Sequence, residues 1–225
     1  MSDGNTKKIV VMGDSHTTLY SNVKERNRGQ WRDSSLEKLF DIRWIGPVTY
    51  WKLCRDQKNF IDFDADISYS MCGIHMTTRV PCGHEIMIVL GEIDVRCHIL
   101  KFGYENYKDT VDNMCLHIKE FLEKYGKKFV FHLQSIVPPI YRENFPPTKP
   151  LFPFVGDDSQ RRDVTLYFNN KLKELSNELN IGYFNIFDLY ADKNNMMILE
   201  KSDHIVHAMK TPELEKYIKE YFNHE

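Results

Sequence analysis

No stretch of this 225-residue chain stays apolar for the roughly 18 residues that a membrane-spanning helix needs. The start, Met-Ser-Asp-Gly-Asn-Thr-Lys-Lys, is polar, and the apolar run after it is too short for a secretory signal core. Charge of one sign is also missing. Lys and Arg number 30 against 32 Asp and Glu, for a formal net charge of -2. The densest basic clusters, Lys124 with Lys127 and Lys128, and the pair Arg161-Arg162, read as solvated surface, so nothing here marks a nucleic-acid partner. Cys54, Cys72, Cys82, Cys97 and Cys115 form an odd set at irregular spacing without a CxxC, which reads as reduced thiols in a reducing compartment and points to the cytoplasm. Repeats, low-complexity tracts and linker-like stretches are lacking too, so one domain over residues 1–225 is expected.

What is present is a strong alternation of apolar runs and helical periodicity. Ile9 to Met12 and Glu85 to Leu90 are continuous apolar runs of the kind buried on both faces of a parallel sheet. Lys128 to Gln134, Ile181 to Phe187 and Asp41 to Pro47 read as further strands, and a short one is expected within Ile61 to Ser70. Helices are expected over about Thr17–Arg26, Ser34–Phe40, Tyr104–Tyr125 and Pro212–Phe222, with Gly126 closing the third, and a long helix capped by Asp158 or Ser159 is expected to reach about Leu179. Trp51 to Asp56 is ambiguous. Strands alternating with helices predict an α/β fold: a parallel sheet with helices on both faces. The ligand site of such a sheet lies beyond the carboxyl ends of its strands. Ser15, Gly91 to Asp94 and Ser135 to Pro139 all fall there. The long proline-rich segment from Pro138 to Pro153 is a candidate lid or cleft wall.

Gly13-Asp14-Ser15 stands at the end of the first strand. Two readings fit it. Ser15 or Asp14 is a helix N-cap, or Ser15 is a nucleophile whose proton is taken by a neighbouring base. A phosphate loop fits less well, because the glycine-rich spacings of nucleotide sites are missing and no cofactor is expected. Of nine histidines the informative ones lie in Ser202-Asp203-His204-Ile205-Val206-His207, where an acid and a base share one loop near the sheet rim. His16, His75, His84, His117, His132 and His224 read as surface or satisfied core residues. Asp203, His204 and His207 could form part of a metal site, but a fourth ligand is not visible and no metal is expected.

With these residues in place, the chain resembles the SGNH/GDSL hydrolase superfamily of esterases and acyl-transfer enzymes. Gly13-Asp14-Ser15 is similar to its nucleophile block, and Ser70-Met71-Cys72-Gly73 to the block whose glycine N–H lines the oxyanion hole. Gly91-Glu92-Ile93-Asp94 stands where the family carries Gly-x-Asn-Asp, and Asp203 to His207 where it carries Asp-x-x-His. The resemblance implies a three-layer α/β/α sandwich with a flavodoxin-like parallel sheet. It implies Ser15, Asp203 and His207 as the catalytic set, with the N–H groups of Ser15 and Gly73 as the oxyanion hole. Asp14, Glu92, Asp94, Arg96 and His204 are auxiliary candidates.

Two departures from the pattern matter. Ile93 occupies the position of a side-chain oxyanion donor and cannot donate; losing one such donor removes about 3 kcal/mol of transition-state stabilisation. Arg96 and His98 are the nearby substitutes, although Glu92 and Arg96 can equally form a buried ion pair. Asp203 and His207 are also four apart, not three, which leaves His204 as the alternative base. The expected activity is hydrolysis or transfer of small acyl esters, with a small-molecule or glycan ester as substrate. A degenerate glycan-binding or assembly module on the same fold is the alternative. Trp44, Tyr50 and Trp51 are either core or a sugar-stacking platform, and Tyr141 and Arg142 are either substrate contacts or plain loop residues.

Overall fold

The computed structural model describes residues 8–21, 31, 33, 35–55, 63, 68–71, 74–77, 80–144, 153–204 and 206–223. Five strands form one parallel sheet: β1 (Ile9–Gly13), β2 (Phe40–Trp44), β5 (Glu85–Val89), β6 (Val130–Gln134) and β7 (Gly182–Phe184). Two further strands, β3 (Ser68–Met71) and β4 (Ile74–Thr77), pair separately as an antiparallel hairpin. The sheet order is β2-β1-β5-β6-β7, the doubly wound flavodoxin-like order. The chain grows first to one side of β1 and then to the other, so the switch point, the general ligand position in such sheets, lies at the carboxyl ends of β1 and β5.

The alternation of side chains along each strand divides the core in two. Val10, Met12, Ile86, Ile88, Phe131 and Leu133 point to one face. Against it pack α3 (Tyr107–Tyr125), through Val111, Met114, Ile118 and Leu122, and α4 (Asp158–Leu179), through Val164, Phe168, Leu172 and Leu175. Ile9, Val11, Met87 and Val89 point to the other face, where α1 (Ser35–Leu39) adds Leu36 and α6 (Pro212–Tyr221) adds Leu214 and Ile218. The apolar runs are continuous because both faces are covered. Two short helices, α2 (Tyr50–Arg55) and α5 (Phe187–Tyr190), complete the layers.

Local chemistry accounts for where the elements differ from the expected ones. The helix expected over Thr17–Arg26 is a six-residue 3-10 helix, Ser15–Tyr20, and residues 22–30 lie outside the described set. Thr17 and Thr18 turn their hydroxyls back to the Asp14 and Ser15 carbonyls, three residues earlier, which favours the tighter winding. α3 starts at Tyr107, not Tyr104, because Tyr104–Asn106 winds as a 3-10 turn in which the Asn106 N–H bonds the Gly103 carbonyl three residues back (3.2 Å). Gly126 does cap α3 but stays right-handed (φ -61°), since Lys128 and Phe129 continue to bond the Tyr125 carbonyl. Trp51 to Asp56, ambiguous in sequence, is mostly helix α2, held from outside: the Asp94 carboxylate accepts the Tyr50 N–H (2.7 Å) and the Trp51 N–H (3.1 Å). No helix among the described residues is long and apolar enough to cross a membrane.

Candidate active site

Gly13 ends β1 with its neighbours close on both sides. A Cβ there would collide with the Val89 carbonyl, so only glycine lets β1 approach β5 at this point. Asp14 leaves the strand and caps the 3-10 helix, its carboxylate accepting the His16 N–H at 2.8 Å. The capping duty falls on Asp14, which leaves Ser15 as the first helical residue with its hydroxyl turned outward. Ser15 Oγ lies 2.8 Å from His207 Nε2.

His207 arrives from the other end of the chain on a loop closed by backbone pairing. Ser202 bridges Ala208, and Met209 N–H donates to the Lys201 carbonyl at 2.8 Å. Within the loop, Asp203 works as a staple. Its Oδ1 accepts the backbone N–H groups of Val206 (3.1 Å) and His207 (3.0 Å), and its Oδ2 accepts His207 Nδ1–H at 2.8 Å. The side chains of His207 and Asp203 are only 6% and 2% exposed, so little solvent screens this contact. The tautomer follows: Nδ1 carries hydrogen towards Asp203, and Nε2 is left to accept from Ser15.

The same staple accommodates the four-residue spacing. His204 takes a left-handed backbone conformation (φ 59°), which absorbs the extra residue. For a non-glycine residue that conformation costs about 1–3 kcal/mol. Three hydrogen bonds to one carboxylate, each contributing about 1.5–3 kcal/mol when one partner is charged, offset it. His204 itself is exposed, its N–H donating to Ser202 Oγ at 3.2 Å. The loop thus delivers His207, not His204, to Ser15. Among the described residues no group of three or more His, Cys, Asp or Glu side chains is arranged to hold a metal ion.

The Gly91 block lies beneath this pair. Gly91 (φ 108°) makes the turn out of β5, where a Cβ would run into Ile136. Ile93 is buried. Glu92 and Arg96 form a buried bidentate pair, Nε to Oε1 at 2.5 Å and Nη2 to Oε2 at 3.0 Å. Burial pushes the Glu92 carboxyl up, but the Arg96 charge and hydrogen bond outweigh it, and the imidazoles of His16 and His207 add to Arg96, so the net direction is down. The Arg96 guanidinium also lies over the Phe154 ring, 5.4 Å from its centroid. Asp94 is fully buried, and burial raises its carboxyl to about 7, against the two N–H bonds from α2 and with help from nearby Asp14 and Glu92. Asp94 thereby ties α2 to the rim.

Other candidates take structural places. Tyr50 is core, and Trp51 packs on Phe102 with ring centroids 5.2 Å apart. These two rings form one wall of an open groove of about 550 Å³ whose polar lining includes Asn106, Asp109, Asn113 and His117. The Tyr141 hydroxyl donates to Asp192 at 2.9 Å, and Arg142 N–H donates to Asp158 at 3.1 Å, so both secure the proline-rich segment. Gly73, the expected second oxyanion donor, lies outside the described residues. His16, read from sequence as a satisfied histidine, is one, but its partners are site residues: Asp14 and the Val206 carbonyl next to His207. Its only sequence signal was adjacency to Ser15.

No protein-family model matches the chain, and no curated protein matches it by sequence. Solved structures do match. An engineered variant of an acetyl-xylooligosaccharide esterase from Geobacillus stearothermophilus is 14% identical, with a TM-score of 0.52 over 100% of this chain and 98% of its own. A protein from Desulfitobacterium hafniense, provisionally described as a lipolytic protein of the G-D-S-L family, is 14% identical, with a TM-score of 0.52 over 96% of this chain and 99% of its own. A protein from Bacteroides fragilis, provisionally described as an acylhydrolase, is 14% identical, with a TM-score of 0.57 over 98% of this chain and 86% of its own. The chain shares its fold with these hydrolases across nearly its whole length.

Proposed function

We propose that the protein is a serine esterase acting on small acyl esters, with carbohydrate esters as the substrate class to test first. The observation that carries the reading is the chain of two 2.8 Å hydrogen bonds from Ser15 Oγ through His207 to Asp203. Residues nearly 200 positions apart meet in the order nucleophile, base and orienting acid. Ser15 Oγ attacks the ester carbonyl while His207 Nε2 takes its proton. The C–O bond then breaks, and His207 returns the proton to the departing alcohol. Water, activated in turn by His207, releases the acid and restores Ser15. In a transferase a sugar hydroxyl takes the place of water. Asp203 holds the tautomer and stabilises the imidazolium. Backbone N–H groups of Ser15 and Gly73 are the proposed oxyanion donors, because Arg96 is already bound to Glu92. The shared fold with an acetyl-xylooligosaccharide esterase supports an acetylated sugar as substrate by analogy alone.

Hydrolysis of an activated acetyl ester tests this. Ser15→Ala and His207→Ala should each lower kcat by at least about a thousandfold and be nearly as severe together as singly, because the residues act as a unit. His204→Asn, which keeps the left-handed turn, should stay near the wild-type rate. A fluorophosphonate probe should label Ser15. Ile93 favours one rival, a binding module without turnover. Equal rates for wild type and Ser15→Ala, with no labelling, would establish it.

A further inference from the structure

A second acid–histidine pair lies directly beside the first. His16 Nδ1 meets Asp14 Oδ1 at 2.9 Å, and its Nε2 meets the Val206 carbonyl oxygen at 3.2 Å. Each partner is an acceptor, so the two bonds exist together only when both ring nitrogens carry hydrogen. The ring is 6% exposed, and its centroid is 4.7 Å from that of His207, inclined at 46°. His16 thereby joins the two chain segments that must meet: Asp14 is anchored to the sheet by its N–H to the Val89 carbonyl (3.2 Å), and Val206 immediately precedes His207. Asp203 holds the loop from within, but nothing in that staple sets its height above Ser15. The His16 bond does, because it runs from the residue after Ser15 to the residue before His207.

We infer that His16 is a positioning residue for His207: by donating to the Val206 carbonyl and packing on the imidazole, it sets the register of the base over Ser15. The kinetic part of this inference rests on the esterase reading; the geometric part does not. An error of about 1 Å in such a contact lowers turnover by about a hundredfold.

Asparagine at position 16 keeps a donor near the place of Nδ1, and glutamine keeps one near the place of Nε2. The two variants therefore separate the bond to Asp14 from the bond to Val206. Each is made alone and with His207→Ala, and is measured for kcat and KM on an activated acetyl ester, for Tm, and for the low-field proton resonance of His207 Nδ1–H, identified by its loss in His207→Ala. His16→Asn should lower kcat about tenfold to a hundredfold, leave KM nearly unchanged and displace or broaden the His207 resonance. His16→Gln should stay close to wild type in all three. In the His207→Ala background neither variant should lose more. Equal impairment by Asn and Gln, an undiminished loss in the absence of His207, or an unmoved His207 resonance in His16→Asn would overturn the inference. If the wild type neither turns over the ester nor labels at Ser15, the esterase reading falls and the resonance alone decides. Should His16→Asn not fold, His16→Gln decides: a His207 resonance at the wild-type position supports the brace, and a displaced one overturns it.

Discussion

Asp94 shows most directly how burial sets the chemistry of single residues around this site. Its carboxyl is raised to about 7, mainly because no solvent reaches it. Between the unfolded value of 3.8 and about 7 the native state therefore holds a proton that the unfolded state has released. Stability from this group falls as pH rises through that window. Replacing Asp94 with Asn should remove that part of the pH dependence, so the stability difference between the two proteins should shift in favour of the variant from pH 4 to pH 7. Urea midpoints measured across that range check it, and a constant difference would place the proton elsewhere. Glu92 shows the opposite outcome under similar burial, because a guanidinium in bidentate contact outweighs desolvation. Neither direction was legible in the sequence. Glu92-x-x-x-Arg96 did suggest an ion pair through its helical spacing, whereas the partners of Asp94 lie more than 40 positions away.

At the scale of elements, the legible parts were those with local chemistry. α4 is the clearest. Asp157 accepts the Gln160 N–H at 2.8 Å, and the Gln160 side chain accepts the Asp157 N–H at 3.1 Å, a complete capping box. The expected cap was one or two residues later, at Asp158 or Ser159, because three consecutive capping residues look alike without the geometry. Asp158 serves another purpose, pairing with the buried Arg161 guanidinium. Replacing Asp157 with Ala should lower the Tm by about 2–4 °C with activity retained. An unchanged Tm would mean that the helix end is held by packing alone. The 3-10 helix after Ser15 was read as an α-helix because its composition permits either. The threonine hydroxyls bonding back to the chain decide the winding, and their rotamers are not written in residue type.

For the whole molecule, the two-sided sheet predicts where stability is concentrated. β1, β5 and β6 are flanked by strands on both edges and by helices on both faces. Amides of Val10 to Met12, Ile86 to Val89 and Phe131 to Leu133 should exchange hydrogen most slowly, opening only with global unfolding. The loop carrying Asp203 and His207 is held by one bridge and a few side-chain bonds, and should open at lower free energy. Equal protection of loop and sheet, measured by native-state exchange, would contradict this view of a rigid floor beneath a locally held His207 loop.

Pattern along the chain was sufficient for the α/β class, the central strands and the three polar stretches at the rim, because period and apolar run length are local consequences of burial on one or both faces. The choice between His204 and His207 was not local. It depends on a left-handed residue and a three-bond staple that exist only once the loop closes. The same holds for Gly13-Asp14-Ser15, where Asp14 and Ser15 were equal candidates for the helix cap. The tertiary structure gives the cap to Asp14 and leaves Ser15 Oγ within hydrogen-bond reach of His207, a contact between chain segments nearly 200 residues apart that no local pattern contains.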